Sequence, residues 1–174
     1  MYKRQVLTFL GVAANYGVYT FITHLFDILA YPSFIEAQVF FGIGSIIAVW
    51  AVMKFIDKQF HLILKAVFII TFISMILFYF AHWVYLFHLA FILWGIAFGS
   101  LSSTFQTATA RQVSEGTAVA NAIQSCSFNF AIMLGSLVSG LLLDYYNMQV
   151  ILIFALFLLF IGIILSLYGH KFIK

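Results

Sequence analysis

A chain of 174 residues that is 65% hydrophobic and only 7% charged, with a mean hydropathy of +1.13, is not built as a water-soluble domain. Soluble domains carry about 25% charged residues, and a domain of this size leaves much of its surface exposed, so the apolar excess must face lipid. The net charge of +3 gathers in short loops and gives no argument for nucleic acid, and the single cysteine, Cys126, excludes an intramolecular disulfide.

A hydrocarbon core of about 30 Å takes about 20 apolar residues to cross as a helix. The runs Gln5–Phe26, Ala37–Met53, Ala66–Ala110, Gly116–Leu143 and Tyr145–Gly169 contain no Asp, Glu, Lys or Arg. Residues 1–5, Met1-Tyr-Lys-Arg-Gln5, match the translated end of a transposon-based sequencing adapter and are set aside as a library scar. The first helix is expected over residues 6–30. It is too long for a signal-peptide core and lacks a small-x-small cleavage site. Pro32, the only proline, ends it in the turn Tyr31-Pro32-Ser33. A second helix follows over 35–53, and Lys54–His61 is the longest loop.

The Ala66–Ala110 run is roughly twice the length of one crossing and must turn back on itself. His82-Trp83 is read as that turn, because Trp favours the membrane interface. Helices are then expected over 62–81 and 83–107. The loop Ala110–Gly116 leads to a fifth helix over 118–143, and a sixth runs over 150–168. None of these runs alternates with the period of a membrane β-strand, which rejects a barrel. The expected fold class is all-α integral membrane, a six-transmembrane-helix bundle in one domain over residues 6–174.

Six crossings put all eight basic residues (Lys3, Arg4, Lys54, Lys58, Lys65, Arg111, Lys171 and Lys174) on one side, and Asp27, Glu36 and Asp144 on the other. Loops rich in Lys and Arg stay cytoplasmic, so both termini are expected inside a cell membrane. Without Lys3 and Arg4 the segregation stands.

Small residues four apart let helices approach closely in lipid. Gly95, Gly99 and Ser103 follow this spacing, as do Ser127, Ala131, Gly135 and Ser139, and Gly42, Gly44, Ser45 and Ala48 cluster in the second helix. Packing is the plain reading for all of them, with Gly140 added. Polar residues inside hydrocarbon cost free energy and need a reason. Asn15, Tyr19 and Thr23 share one face by i, i+4, i+8 spacing, and Asn121, Ser125 and Asn129 share another. Gln124 and Phe128 sit beside the second face, and Gln106 lies near the inner end of the fourth helix. Two readings stay open for this group. One is the lining of a solute cavity; the other is interhelical bridging, worth about 0.6 kcal/mol per contact.

No carboxylate falls mid-helix. His24 is the one titratable candidate for a proton relay, and its place near the outer end favours an interfacial role. His24, His61, His82, His88 and His170 show no metal-ligand spacing, and no phosphate loop is present. Gly99-Ser100 has no well-placed His on a later helix to serve an intramembrane protease. Neither an enzyme, a metal site nor a cofactor is expected.

The stretch Phe105–Gly140 carries Gln106 before a loop, Glu115 within it, an Ala/Ser-rich run into Phe128-Asn129, and the pair Gly135 and Gly140. It resembles the tenth-to-eleventh helix region of major facilitator superfamily exporters, in the branch that exports sugars, purine nucleosides and drugs. Asn15-Tyr-Gly-Val-Tyr-Thr20 likewise resembles the seventh helix of that branch. The resemblance covers the chain from about Val6, as helices seven to twelve. It implies the C-terminal half of a twelve-helix secondary transporter that exports small solutes by alternating access, coupled to protons through a missing N-terminal half. It also implies Asn15, Tyr19, Thr23, Gln106, Gln124, Phe128 and Asn129 as substrate-binding. The superfamily's loop motif, Gly-x-x-x-Asp-Arg-x-Gly-Arg, is met by Met53–His61 with both glycines lost, so a gating role passes only to Asp57 and Lys58. The superfamily's Gly-Pro antiporter motif is absent, as the second half would have it. The rival expectation is a naturally short six-helix protein, acting as a parallel homodimeric transporter or as a non-transporting scaffold.

Overall fold

The computed structural model describes residues 2–110 and 116–168, with the side chains of a few of these left aside. Every regular element among them is a helix: α1 (Tyr2–Thr20), α2 (Ile22–Leu29), α3 (Phe34–Phe80), α4 (Val84–Ala110), α5 (Thr117–Tyr145) and α6 (Met148–Tyr168). By length and composition α3, α4, α5 and α6 can cross a membrane, and α1 with α2 can form a further crossing as a bent pair. Arg111 and Glu115, singled out above, lie outside the described residues, as do His170 and the C-terminal lysines.

The 47 residues of α3 would reach about 70 Å if straight, more than twice the hydrocarbon thickness. They are not straight. Gln59 leaves the helical region (φ −128°, ψ 34°), and the chain doubles back there. Phe41 and Phe78 both pack on Trp94, with ring centroids 5.3 and 5.7 Å from it. Thirty-seven residues of unbroken helix would hold those two rings about 55 Å apart. Thus α3 has two arms, 34–58 and 60–80. The stretch 54–61, expected as a loop, is helical on both sides of one bent residue. It contains no glycine or proline, so nothing in it stops a helix.

The expected first helix is also broken. At Phe21 the axis turns by 66° between α1 and α2. The end of α2 is a Schellman motif, with Tyr31 N donating to Phe26 O and Ala30 N to Asp27 O. Ala30 takes the left-handed conformation there (φ 46°, ψ 41°). Ser33 then caps α3 by accepting from Glu36 N at 3.3 Å, half of a Ser-x-x-Glu capping box.

The packing does not follow chain order. The main neighbours of α1 are α5 and α6, and those of α4 are the two arms of α3. Gly135 meets Ala13, Gly140 meets Phe21, and Gln124 bonds Thr8, so α1 and α5 run parallel. Gly95 meets Phe41 and Gly99 meets Ser45, so the first arm of α3 runs parallel to α4. Ser74 bonds Ala90 while Phe68 meets Phe105 edge to face, so the second arm is antiparallel to α4. The centre is filled by Trp94, Phe68, Phe78, Phe91 and Phe105, all but fully buried.

The bundle therefore has two ends of opposite charge. The acidic end, where the turns after α2, α3 and α5 lie, has Asp27 in α2, Glu36 in the first turn of α3 and Asp144 at the end of α5. A cavity of about 250 Å³ lined by Ile28, Leu29, His82 and Gln149 gathers these turns. At the basic end the bend of α3 carries Lys54, Lys58 and Lys65.

Candidate functional site

Near the basic end, α4 and α5 separate enough to leave a cavity of about 200 Å³. It is lined by Ser102 and Gln106 from α4 and by Gln124, Ser125, Phe128 and Asn129 from α5. Four residues expected from the sequence, Gln106, Gln124, Phe128 and Asn129, thus meet around one space. Gln106 lies 18 or more residues from the other three in sequence and meets them because α4 and α5 pack side by side against α1.

Their roles within it differ. Gln124 is 4% exposed, and its amide is engaged on both sides: Nε2 donates to Thr8 Oγ1 at 3.0 Å, and Thr109 Oγ1 donates to Oε1 at 3.1 Å. It ties α1, α4 and α5 together at the cavity wall. Gln106 Nε2 donates to Ser102 Oγ at 3.2 Å, and Asn129 Nδ2 to Ser125 O at 2.9 Å. Both of these amides are exposed, and their oxygens have no hydrogen-bond partner among the described residues. They are the acceptors the cavity offers.

Phe128 joins the cavity to an aromatic wall. Tyr16 lies 6.0 Å from it and 4.9 Å from Phe98, and Tyr19 lies 5.2 Å from Phe98. Tyr19 is thus linked to the cavity through two rings rather than lining it.

Asn15 is not a lining residue. It is fully buried, donates through Nδ2 to Gly11 O at 2.8 Å, and accepts at Oδ1 from Trp94 Nε1 at 2.9 Å. The i, i+4 spacing that joined it to Tyr19 is correct on the helix, but Trp94 of α4 closes over that part of the face. Thr23 lies beyond the bend at Phe21, exposed beside His24 at 3.5 Å, and is not brought to the cavity. Asp57 and Lys58 stand exposed on the first arm of α3 just before its bend, not in a loop.

Ser102 escaped the sequence reading although it precedes Gln106 by one helical turn, a spacing that could have found it. Thr8 and Thr109 carried no such signal. Their role depends on which helices meet.

The packing glycines separate by function. A Cβ on Gly95 would collide with the Phe41 carbonyl, and one on Gly135 would stand 2.6 Å from Ala13 O. At Gly99 the nearest atom is Ser45 Cα at 2.9 Å, whereas at Gly140 it is a Phe21 ring carbon at 3.3 Å.

Chemically, the cavity presents amides, two hydroxyls and one aromatic face, with no charged side chain. That set suits a neutral, hydroxyl-bearing solute. The volume falls short of the about 300–1,000 Å³ of complete small-molecule sites. No group of three or more His, Cys, Asp or Glu among the described residues is placed to hold a metal ion. No protein-family model matches the chain, and no curated protein matches it.

Proposed function

We propose that the chain is a six-helix half of a secondary transporter of the major facilitator type, exporting small polar or amphipathic solutes by alternating access. The observation that carries this reading is the crossed packing of two three-segment sets. The first set is α1 with α2, then the two arms of α3; the second is α4, α5 and α6. The leading segment of each set packs on the second and third segments of the other. Both lead pairs, α1 with α5 and α4 with the first arm of α3, are parallel and closed by glycines. Nested three-helix repeats of this kind build each half of that superfamily, with solute held near the midplane between halves.

The cavity lies on α4 and α5 and takes Gln106 and Asn129 as solute-binding acceptors, with Phe128 as an apolar wall. A facing six-helix unit, on another segment or in a second copy, supplies the opposite wall. A proton-coupling carboxylate would have to come from that unit, because Asp27, Glu36, Asp57 and Asp144 stand at the bundle ends. The basic end faces the cytoplasm by the rule for Lys- and Arg-rich loops. Asp57 and Lys58 are the residues there through which gating would act.

Binding to the purified chain is the test. A panel of neutral sugars, nucleosides and amphipathic drugs is titrated against thermal stability in detergent, followed by flux in proteoliposomes. We expect members of one class to raise the melting temperature, and Gln106→Ala with Asn129→Ala to abolish that rise. If no panel member stabilises the chain or moves across the vesicle, the transporter reading falls.

A further inference from the structure

The outward face of the first arm of α3 has the form of a lipid site. Ile46, Trp50 and Met53 are 72%, 56% and 71% exposed, at spacings that put them on one face with Ile43 and Ile47. This uncovered stripe is unbroken by polar groups and ends abruptly at Lys54. From Ile43 to Met53 it measures about 15 Å, half of a 30 Å hydrocarbon core. The length is that of one leaflet.

The charged end of the stripe is organised. Lys54 Nζ sits 4.8 Å from the Trp50 ring centroid and 5.3 Å from that of Phe55. Cation–π contact fixes the ammonium at the level where the apolar stripe stops, instead of leaving it free in water. Lys58 is exposed one turn further along the same face, beside the bend at Gln59. Lys65 lies on the second arm, six residues beyond that bend, as Lys54 lies five before it. The two are therefore level, both about 8 Å from the bend along their arms. Asp57 lies between the lysines and lowers the local charge without cancelling it.

We propose that this face binds one anionic phospholipid, with its phosphate against Lys54 and Lys58 and an acyl chain along Met53, Trp50 and Ile46. The charge at the end of the stripe selects this occupant over a second apolar helix, which would bring no anionic group to the two ammonium groups, whose charge Asp57 offsets only in part. Trp is favoured at the depth where chain meets headgroup, which matches Trp50. The inference needs a bilayer but does not depend on transport.

The test is lipid binding to the whole chain in dodecyl maltoside, read by native mass spectrometry during titration with phosphatidylglycerol or phosphatidylcholine. Each lysine near an anionic surface contributes about a factor of five, so Lys54→Gln with Lys58→Gln weakens the tightest phosphatidylglycerol site about thirty-fold. Phosphatidylcholine binding should not change, and Lys54→Arg with Lys58→Arg should keep the wild-type value. Both lysines are exposed, so matched melting temperatures will show that the variants fold. Equal phosphatidylglycerol affinity in the Gln variant overturns the proposal. So does phosphatidylcholine binding as tight as phosphatidylglycerol. Competition by glycerol 3-phosphate at the same concentration as the lipid also overturns it, since a bare phosphate site would then suffice.

Discussion

The buried amide at Asn15 and the exposed one at Asn129 are chemically alike and do opposite things. Asn15→Leu leaves the Trp94 indole N–H buried without an acceptor, an expected loss of about 1–2 kcal/mol. Adding Trp94→Phe should return part of it, because the orphaned donor is then gone. Asn129→Ala, on an exposed face, should change stability by less than about 0.5 kcal/mol and act on solute binding instead. Thermal melts and solute titrations of the same variants separate these roles. A fall in solute affinity at Asn15→Leu with unchanged stability would reverse the assignment. Sequence spacing could not tell the two apart, since each amide sits on a polar helix face. The difference lies in an indole 79 residues away. Ala30 offers a backbone case. Its left-handed conformation costs a residue with a Cβ about 1 kcal/mol, and Gly is the usual occupant of this place in a Schellman motif. Ala30→Gly should raise the melting temperature, and no rise would mean that the α2 end relaxes differently.

Apolar run length was readable because lipid dictates it: about 20 residues per crossing leaves little freedom in where α4, α5 and α6 begin and end. Bends were not readable in the same way. Phe21 and Gln59 are ordinary helix-compatible residues, and packing of the flanking segments, not a local breaker, turns the chain at each. The small-residue clusters were readable as packing surfaces but not residue by residue. Gly42 and Gly95 were both read as packing residues, yet a Cβ at Gly42 meets nothing within 4 Å, while at Gly95 it strikes the Phe41 carbonyl. Gly95→Ala should therefore cost about 1–3 kcal/mol through forced separation of α4 from the first arm of α3. Gly42→Ala should instead gain about 0.5–1 kcal/mol from helix propensity alone. Melting temperatures of the two variants, which should move in opposite directions, check the glycine contact directly.

At the scale of the whole chain, what holds the bundle together is exchange between its two halves. Helices adjacent in sequence usually pack together, and a simple ring of six segments would set α1 beside the first arm of α3. Here α1 lies instead along α5, and the hydroxyls of Thr20 and Ser136 stand 2.7 Å apart. Nothing in the chain announced this: small and polar residues mark that a helix is touched, not by which partner. The same exchange shapes the cavity, because Gln124 of α5 reaches both Thr8 of α1 and Thr109 of α4 at its wall. A disulfide tests it without knowledge of any solute. Thr20→Cys with Ser136→Cys, in a Cys126→Ser background, places two thiols at a separation that a disulfide can span with little movement. A protease site inserted between α4 and α5 then cuts the chain between the two cysteines. Under oxidation the fragments should remain joined on a denaturing gel and separate on reduction. Were α1 packed on its neighbour in sequence, the thiols would stand on opposite sides of the bundle and the cut fragments would separate in either state. That result would remove the crossed packing, and with it the reasoning that makes this bundle half of a transporter.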